Sequence, residues 1–84
     1  TVDSSTPTAY VFEMQKKLYE LGYLLKSENP QQGVYDEATR NAVLRFQQNY
    51  NATSGGAPLY EIDPTDPNAV VDATTLAILM NSAT

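Results

Sequence analysis

Two short stretches of this chain each require a helix to begin at a fixed residue, and any fold has to accommodate both. Gly33-Val34-Tyr35-Asp36-Glu37-Ala38-Thr39 leads into the apolar residues Ala42, Val43 and Phe46, and Val70-Val71-Asp72-Ala73-Thr74-Thr75 leads into Leu76 and Leu79, with Met80 or Ile78 beside them. In each stretch the aspartate reads as an N-cap, its carboxylate accepting N–H groups of the first helical turn that have no partner inside the helix. The threonine three residues on, Thr39 or Thr75, answers it in a weaker form of the capping box, where Glu or Gln ordinarily stands. Gly33 can take the positive φ of a tight turn, whereas the second stretch has Ala69 at that place and turns less sharply. Past each cap, apolar residues recur at three- and four-residue spacing, so one face of each helix is buried. The chain is a degenerate internal repeat built on Asp-x-x-Thr.

A further helix precedes the two. Val11, Met14, Leu18, Leu21 and Leu25 alternate at three- and four-residue intervals opposite Glu13, Lys16, Lys17 and Glu20. Thr6 or Thr8 serves as its cap with Pro7 at the first helical position, and Gly22 as its left-handed C-cap. The pattern predicts helices over residues 7–21, 37–49 and 73–81. Residues 1–6 are small and polar and are expected to be a frayed or linker segment, leaving one domain over 7–82. Between the second and third helices, residues 51–69 are rich in Pro, Gly, Asp and Thr and long for a link inside a small domain. A compact fold is kept if Leu59, Tyr60 and Ile62 lie down on the helices, stiffened by Pro58, Pro64 and Pro67 and briefly extended against Val70 and Val71. The expected fold class is all-α, a small three-helix bundle with a long irregular loop between helices two and three.

Composition narrows the chemistry. Five basic and ten acidic residues give a net charge of -5, which repels phosphate backbones and anionic lipid surfaces, so no nucleic-acid partner is expected. No apolar run reaches the length that crosses a bilayer. The chain has neither Cys nor His, which removes thiol nucleophiles, imidazole bases and the usual zinc and transition-metal ligands, so no cofactor is expected. Glu61, Asp63, Asp66 and Asp72 form an acidic run without EF-hand spacing, which reads as a solvated loop and not as a metal site. The start at Thr1, with no leader-like segment, is expected to mark a mature form or a piece of a longer protein.

Val11-x-x-Met14-Gln15-x-x-Leu18-x-x-Leu21-Gly22-Tyr23-Leu24, then Gly33-x-Tyr35-Asp36-x-x-Thr39-x-x-Ala42-Val43-x-x-Phe46-Gln47, then Val71-Asp72-x-x-Thr75-x-x-x-Leu79, in this order and spacing, closely resembles the peptidoglycan-binding domain-like family over residues 8–81. The resemblance implies a three-helix, non-catalytic module that holds a cell-wall hydrolase, amidase or transpeptidase on bacterial peptidoglycan. It implies an extracellular or cell-envelope location, and a monomer is expected. The same fold occurs in the propeptides of matrix metalloproteinases, where a downstream cysteine blocks the zinc; this chain has no cysteine to carry that role. The family usually has a short, glycine-containing link before the valine-aspartate pair, and residues 51–69 depart from it.

The candidate ligand contacts are Tyr23, Tyr35, Tyr50, Gln15, Gln47 and Arg40. Tyrosine faces stack on sugar rings while their hydroxyls bond at the rim, and Tyr23 and Tyr35 come first because they flank the Gly22 and Gly33 turns. Tyr19 and Tyr60 are of the same type, and any one of these rings is otherwise edge packing. Gln15 and Gln47 either touch ligand or tie a loop backbone to their helix. Arg40 and Arg45 either grip stem-peptide carboxylates in bidentate fashion or lie on solvated helix faces. Asp36 and Asp72 are spaced carboxylates of the kind acid–base chemistry uses, but capping explains both, so no enzyme is expected. The alternative function is a structural or prodomain-like module that docks on a partner protein or enzyme domain through residues 51–69, which would expose a larger apolar patch.

Overall fold

The computed structural model describes residues 6–82. Its helices are α1 (Thr8–Leu21), α2 (Glu37–Thr53) and α3 (Ala73–Asn81), with a single 3-10 turn at Lys26–Glu28 between the first two. The architecture is an all-α three-helix bundle in which α1 packs against both α2 and α3. The expectation of a frayed segment at 1–6 falls, apart from Thr6, outside the described residues.

The repeated cap sets two of the helix starts. Asp36 Oδ1 accepts the Thr39 N–H at 2.9 Å and Asp72 Oδ1 accepts the Thr75 N–H at 2.8 Å, so α2 begins at Glu37 and α3 at Ala73. The first helix starts differently from the expectation. Pro7 stands in the N-cap position with no side-chain cap, and its carbonyl accepts the N–H groups of Tyr10 and Val11. Proline has no N–H to place inside the helix and a φ suited to its edge, so Thr8 becomes the first helical residue.

The core draws Val11, Met14 and Leu18 from α1, Ala42, Val43 and Phe46 from α2, and Leu76 and Leu79 from α3. Leu25, expected to extend the α1 stripe, is instead 51% exposed, and Leu24 is buried in its stead. The reason is Gly22, whose φ of 85° closes a Schellman motif: its N–H reaches the Tyr19 carbonyl and the Tyr23 N–H reaches that of Leu18. Helical spacing ends there, and the reversed chain turns the next residue inward. In α3 it is Ile78 that is partly buried while Met80 is exposed.

The long link also differs from its expected form. Helix α2 continues past Asn49 to Thr53 because Asn51 has a task inside the helix, its side chain closing two hydrogen bonds on the Leu59 backbone, Nδ2 to the carbonyl at 3.0 Å and Oδ1 from the N–H at 2.6 Å. Leu59 and Ile62 are buried as expected, and Ala69 and Val71 join them, so an irregular segment supplies four core residues. Tyr60, expected to lie on the helices, points away and is 80% exposed.

Gly33 needs its lack of a side chain twice over. Its φ is 77°, and a Cβ there would stand 2.2 Å from Thr8 Cγ2 and 3.2 Å from the Thr8 carbonyl oxygen, whereas a Cβ on Gly22 would meet nothing within 4 Å. Gly22→Ala should therefore cost about 1–2 kcal/mol, the penalty of the left-handed conformation alone, and Gly33→Ala distinctly more. Urea denaturation of the two variants beside the parent checks the order.

Candidate functional site

Two buried glutamines tie the loops before α2 and α3 to the helices. Gln15 on α1 is 2% exposed; its Nε2 donates to the carbonyls of Gln31 (2.9 Å) and Val34 (3.1 Å) and to the Thr39 hydroxyl (2.9 Å), and its Oε1 accepts the Gly33 N–H at 2.8 Å. Gln47 on α2 is 1% exposed; its Nε2 donates to the Tyr60 carbonyl (2.8 Å) and the Thr75 hydroxyl (3.2 Å), and its Oε1 accepts the Ile62 N–H at 3.0 Å. Apart from the extra bond from Gln15 to the Val34 carbonyl, the geometry repeats: an amide on one helix grips a loop at a carbonyl and at the N–H two residues later. It then bonds the capping threonine of the next helix. Of the two readings of these glutamines, the arrangement carries the loop-tying one, since every polar atom of both amides is engaged.

The matching grips place Gln31 opposite Tyr60 and Gly33 opposite Ile62, which shows where the two halves differ. Asp36 follows Gly33 by three residues, whereas Asp72 follows Ile62 by ten, so the second loop carries seven additional residues, 63–69. These hold a tandem Asp-Pro-x sequence. Asp63 Oδ1 accepts the N–H and hydroxyl of Thr65 (2.9 and 2.7 Å), Asp66 Oδ1 accepts the Asn68 N–H (2.9 Å), and the Asp63 and Asp66 carbonyls accept from Asp66 and Ala69. The two turns wall an open groove of about 260 Å³, with Tyr60 and Val70 at its rim and the buried Ile62 and Ala69 beneath.

Arg40 and Tyr35 form a brace under this loop. Arg40 is only 7% exposed, donating from Nε to the Pro64 carbonyl (3.0 Å) and from Nη1 to the Tyr35 carbonyl (2.9 Å), with its guanidinium 5.6 Å from the centre of the Tyr35 ring. Tyr35 is itself buried. Neither side chain presents its polar group on an open face; Arg40 holds the loop backbone at Tyr35 and Pro64.

Tyr23 and Tyr50, in contrast, are half-buried and come together on either side of Phe46. The Tyr23 ring meets Phe46 edge-on at 5.7 Å and Tyr50 lies tilted at 6.3 Å, making a row of three rings across the end of α1 and the C-terminal half of α2. Asn49 donates to the Tyr23 hydroxyl at 2.7 Å, and Arg45, half exposed, donates to the Tyr23 carbonyl and pairs with Glu28. Asn49 was not among the residues singled out from sequence, and Tyr60 was named there only as a ring of the same type as the candidates, with no groove around it. For Tyr60 a signal existed, an aromatic residue set between Leu59 and Ile62, both buried, in a segment too irregular to assign it a face.

A family model described as "Putative peptidoglycan binding domain" matches residues 8–56, more than half of the chain, from the start of α1 through the whole of α2. The chain belongs to this peptidoglycan-binding family. No curated protein and no solved structure matches it significantly. The matched region contains the first glutamine grip and the aromatic row of this peptidoglycan-binding domain, and it ends before the groove.

Among the described residues no group of three or more His, Cys, Asp or Glu side chains is placed to hold a metal ion, and no helix is long and apolar enough to cross a membrane. The caps carry the clearest electrostatic signature. Burial raises the Asp36 carboxyl, but the N–H groups of Gln31 and Thr39 and the Thr39 hydroxyl outweigh it and hold the group below its ordinary 3.8. Asp72 is lowered by the Thr75 hydroxyl and N–H. A lowered carboxylate adds stability that is present above the unfolded value and lost as pH falls through the folded one.

Unfolding free energy should thus be flat above about pH 5 and fall progressively below the ordinary carboxylate value, and Asp36→Asn, which can still cap, should reduce that acid-side fall. Denaturant titrations at a series of pH values measure both. Gln47→Ala should destabilise the domain by about 1–3 kcal/mol for the buried Ile62 N–H it orphans. Gln47→Glu, which keeps the acceptor and loses the donor, should be destabilised as well, and the same denaturant assay reads both variants.

Proposed function

We propose that this domain binds bacterial peptidoglycan without acting on it chemically, and that it holds a larger protein, a hydrolase or transpeptidase, at the wall outside the cytoplasm. The observation that carries the reading is the family match, which takes in the aromatic row. Tyr23 and Tyr50 offer partly exposed rings for stacking on sugar, and Asn49 beside them offers hydrogen bonds to hydroxyl and acetamido groups. Arg45, already oriented by the Tyr23 carbonyl and Glu28, supplies a cation for a stem-peptide carboxylate. Gln15, Gln47, Tyr35 and Arg40 contribute by fixing the loops. Asp36 and Asp72 are occupied as caps, and the chain has no His to act as an imidazole base and no Cys to act as a thiol nucleophile.

A shallow row of rings gives modest affinity in one copy. On a polymeric wall, tethering raises the effective concentration of whatever the domain is joined to, so modest affinity suffices.

Retention on insoluble peptidoglycan, with cellulose and chitin as control polymers, tests the reading. The folded domain should sediment with peptidoglycan alone, and Tyr23→Ala and Tyr50→Ala should each weaken retention by about five- to tenfold, the worth of one aromatic contact. A folded domain that stays in the supernatant with every polymer overturns the function, and variants that bind like the parent overturn the choice of the aromatic row.

A further inference from the structure

The groove walled by residues 63–69 is not accounted for by the bundle. The first loop makes the same glutamine grip and reaches its cap in three residues, and of the additional seven the bundle uses Pro64, through Arg40, and Ala69, in the core, while the outward turns exceed what closing the fold requires. They create a concavity with three chemical parts. At the rim stands Tyr60, 80% exposed, an aromatic ring that gains nothing from the core. The buried Ile62 and Ala69 and the half-exposed Val70 give the groove its apolar lining. On the wall are the Asp63 and Asp66 carboxylates, each using Oδ1 for its own turn, and neither is paired with Lys or Arg among the described residues.

We propose that this groove is a subsite for a primary ammonium group at the end of an alkyl chain, as carried by the diamino acid of an uncross-linked peptidoglycan stem peptide. The methylenes lie on Ile62, Ala69 and Val70. The ammonium meets the Asp63 and Asp66 carboxylates through charge-assisted hydrogen bonds, and the Tyr60 ring closes over it in a cation–π contact. Neutral sugar would leave both carboxylates without a counter-charge, and an anionic ligand would be repelled by them and by the net charge of -5. The Thr65 hydroxyl and N–H hold the Asp63 carboxyl below its ordinary value, which favours its charged form. The subsite deepens the wall-binding reading and rests on it: the aromatic row recognises the polymer, and the groove selects stem peptides whose amine is free.

The experiment has two arms on the 84-residue chain. In the first, backbone amide shifts are followed by NMR during titration with Nα-acetyl-lysine amide and with its Nε-acetylated form. The free amine should shift Tyr60, Asp63, Asp66 and Val70, and the acetylated form should leave them in place; equal responses, or none, overturn the subsite. In the second, retention is compared on untreated peptidoglycan and on the same wall after N-acetylation of its free amines. The parent should lose about fivefold in affinity on the acetylated wall, the worth of one exposed ion pair. Asp63→Asn/Asp66→Asn, whose amides can still close the turns, should bind both walls equally at that lower level. Tight binding of the parent to both walls overturns the subsite while leaving the wall-binding reading intact. Absence of retention on either wall, together with amine-specific shifts in the first arm, overturns the wall-binding reading and leaves the amine groove standing as a property of the loop.

Discussion

A glutamine amide sealed between helices, closing hydrogen bonds on the backbone of a loop, is the interaction on which the rest of this structure depends. Loops carry N–H and C=O groups that cannot be buried unpaired, each orphan costing about 1–3 kcal/mol. Gln15 and Gln47 remove that obstacle at two equivalent places, letting Gly33 and Ile62 come inside. Because each amide also reaches the capping threonine of the next helix, one side chain links a helix, the loop after it and the start of the following helix. In a low-dielectric interior such a network is stiff when complete and costly when broken. The bundle is accordingly a chain of linked elements more than three helices meeting at an oily centre.

Helix α2 extends the device into a stripe. Arg40, Gln47 and Asn51 are separated by seven and four residues, so they share one helix face, and they grip the second loop at Pro64, at Tyr60 and Ile62, and at Leu59 respectively. The loop ascends in number as the helix descends, an antiparallel course. This polar stripe is why a link of unusual length fits a small domain without regular structure of its own. It supplies from side chains the pairing that a strand neighbour would supply from backbone.

Much of the fold was legible because it rests on local chemistry. The Asp-x-x-Thr caps placed the starts of α2 and α3, and the end of α3 followed from its short apolar pattern. Gly22 was legible as a left-handed cap, yet its consequence for the next residues was not, since periodicity carried past the turn points to Leu25 while the reversed backbone buries Leu24. Asn51 hides in the same way: as a residue type it belongs to loops, and only the distant Leu59 backbone gives it a reason to be helical. Of the residues chosen for a site, Tyr23 and Tyr50 lie together on a half-exposed face. Tyr35 and Arg40 lie inside, because a guanidinium that satisfies two carbonyls can be buried, and nothing in helical spacing announces those carbonyls. Tyr60 was legible as a ring of the candidate type but not in its exposure, since it stands in solvent while Leu59 before it and Ile62 after it are buried.

The seven residues between the second grip and the second cap have a meaning beyond this one chain. Ile62 is held by Gln47 at one end and Val71 is buried beside the α3 cap at the other, so both ends of the segment are anchored independently of what lies between them. Closing a longer segment between fixed points costs little, since the entropy penalty grows only with the logarithm of its length. The segment can therefore change in length and chemistry at its outward turns, provided that a backbone carbonyl still meets Arg40 where Pro64 stands and a small apolar residue still fills the place of Ala69. The exposed turns and the buried anchors of this one short segment thus face different constraints, and only the turns are open to change without a change of fold.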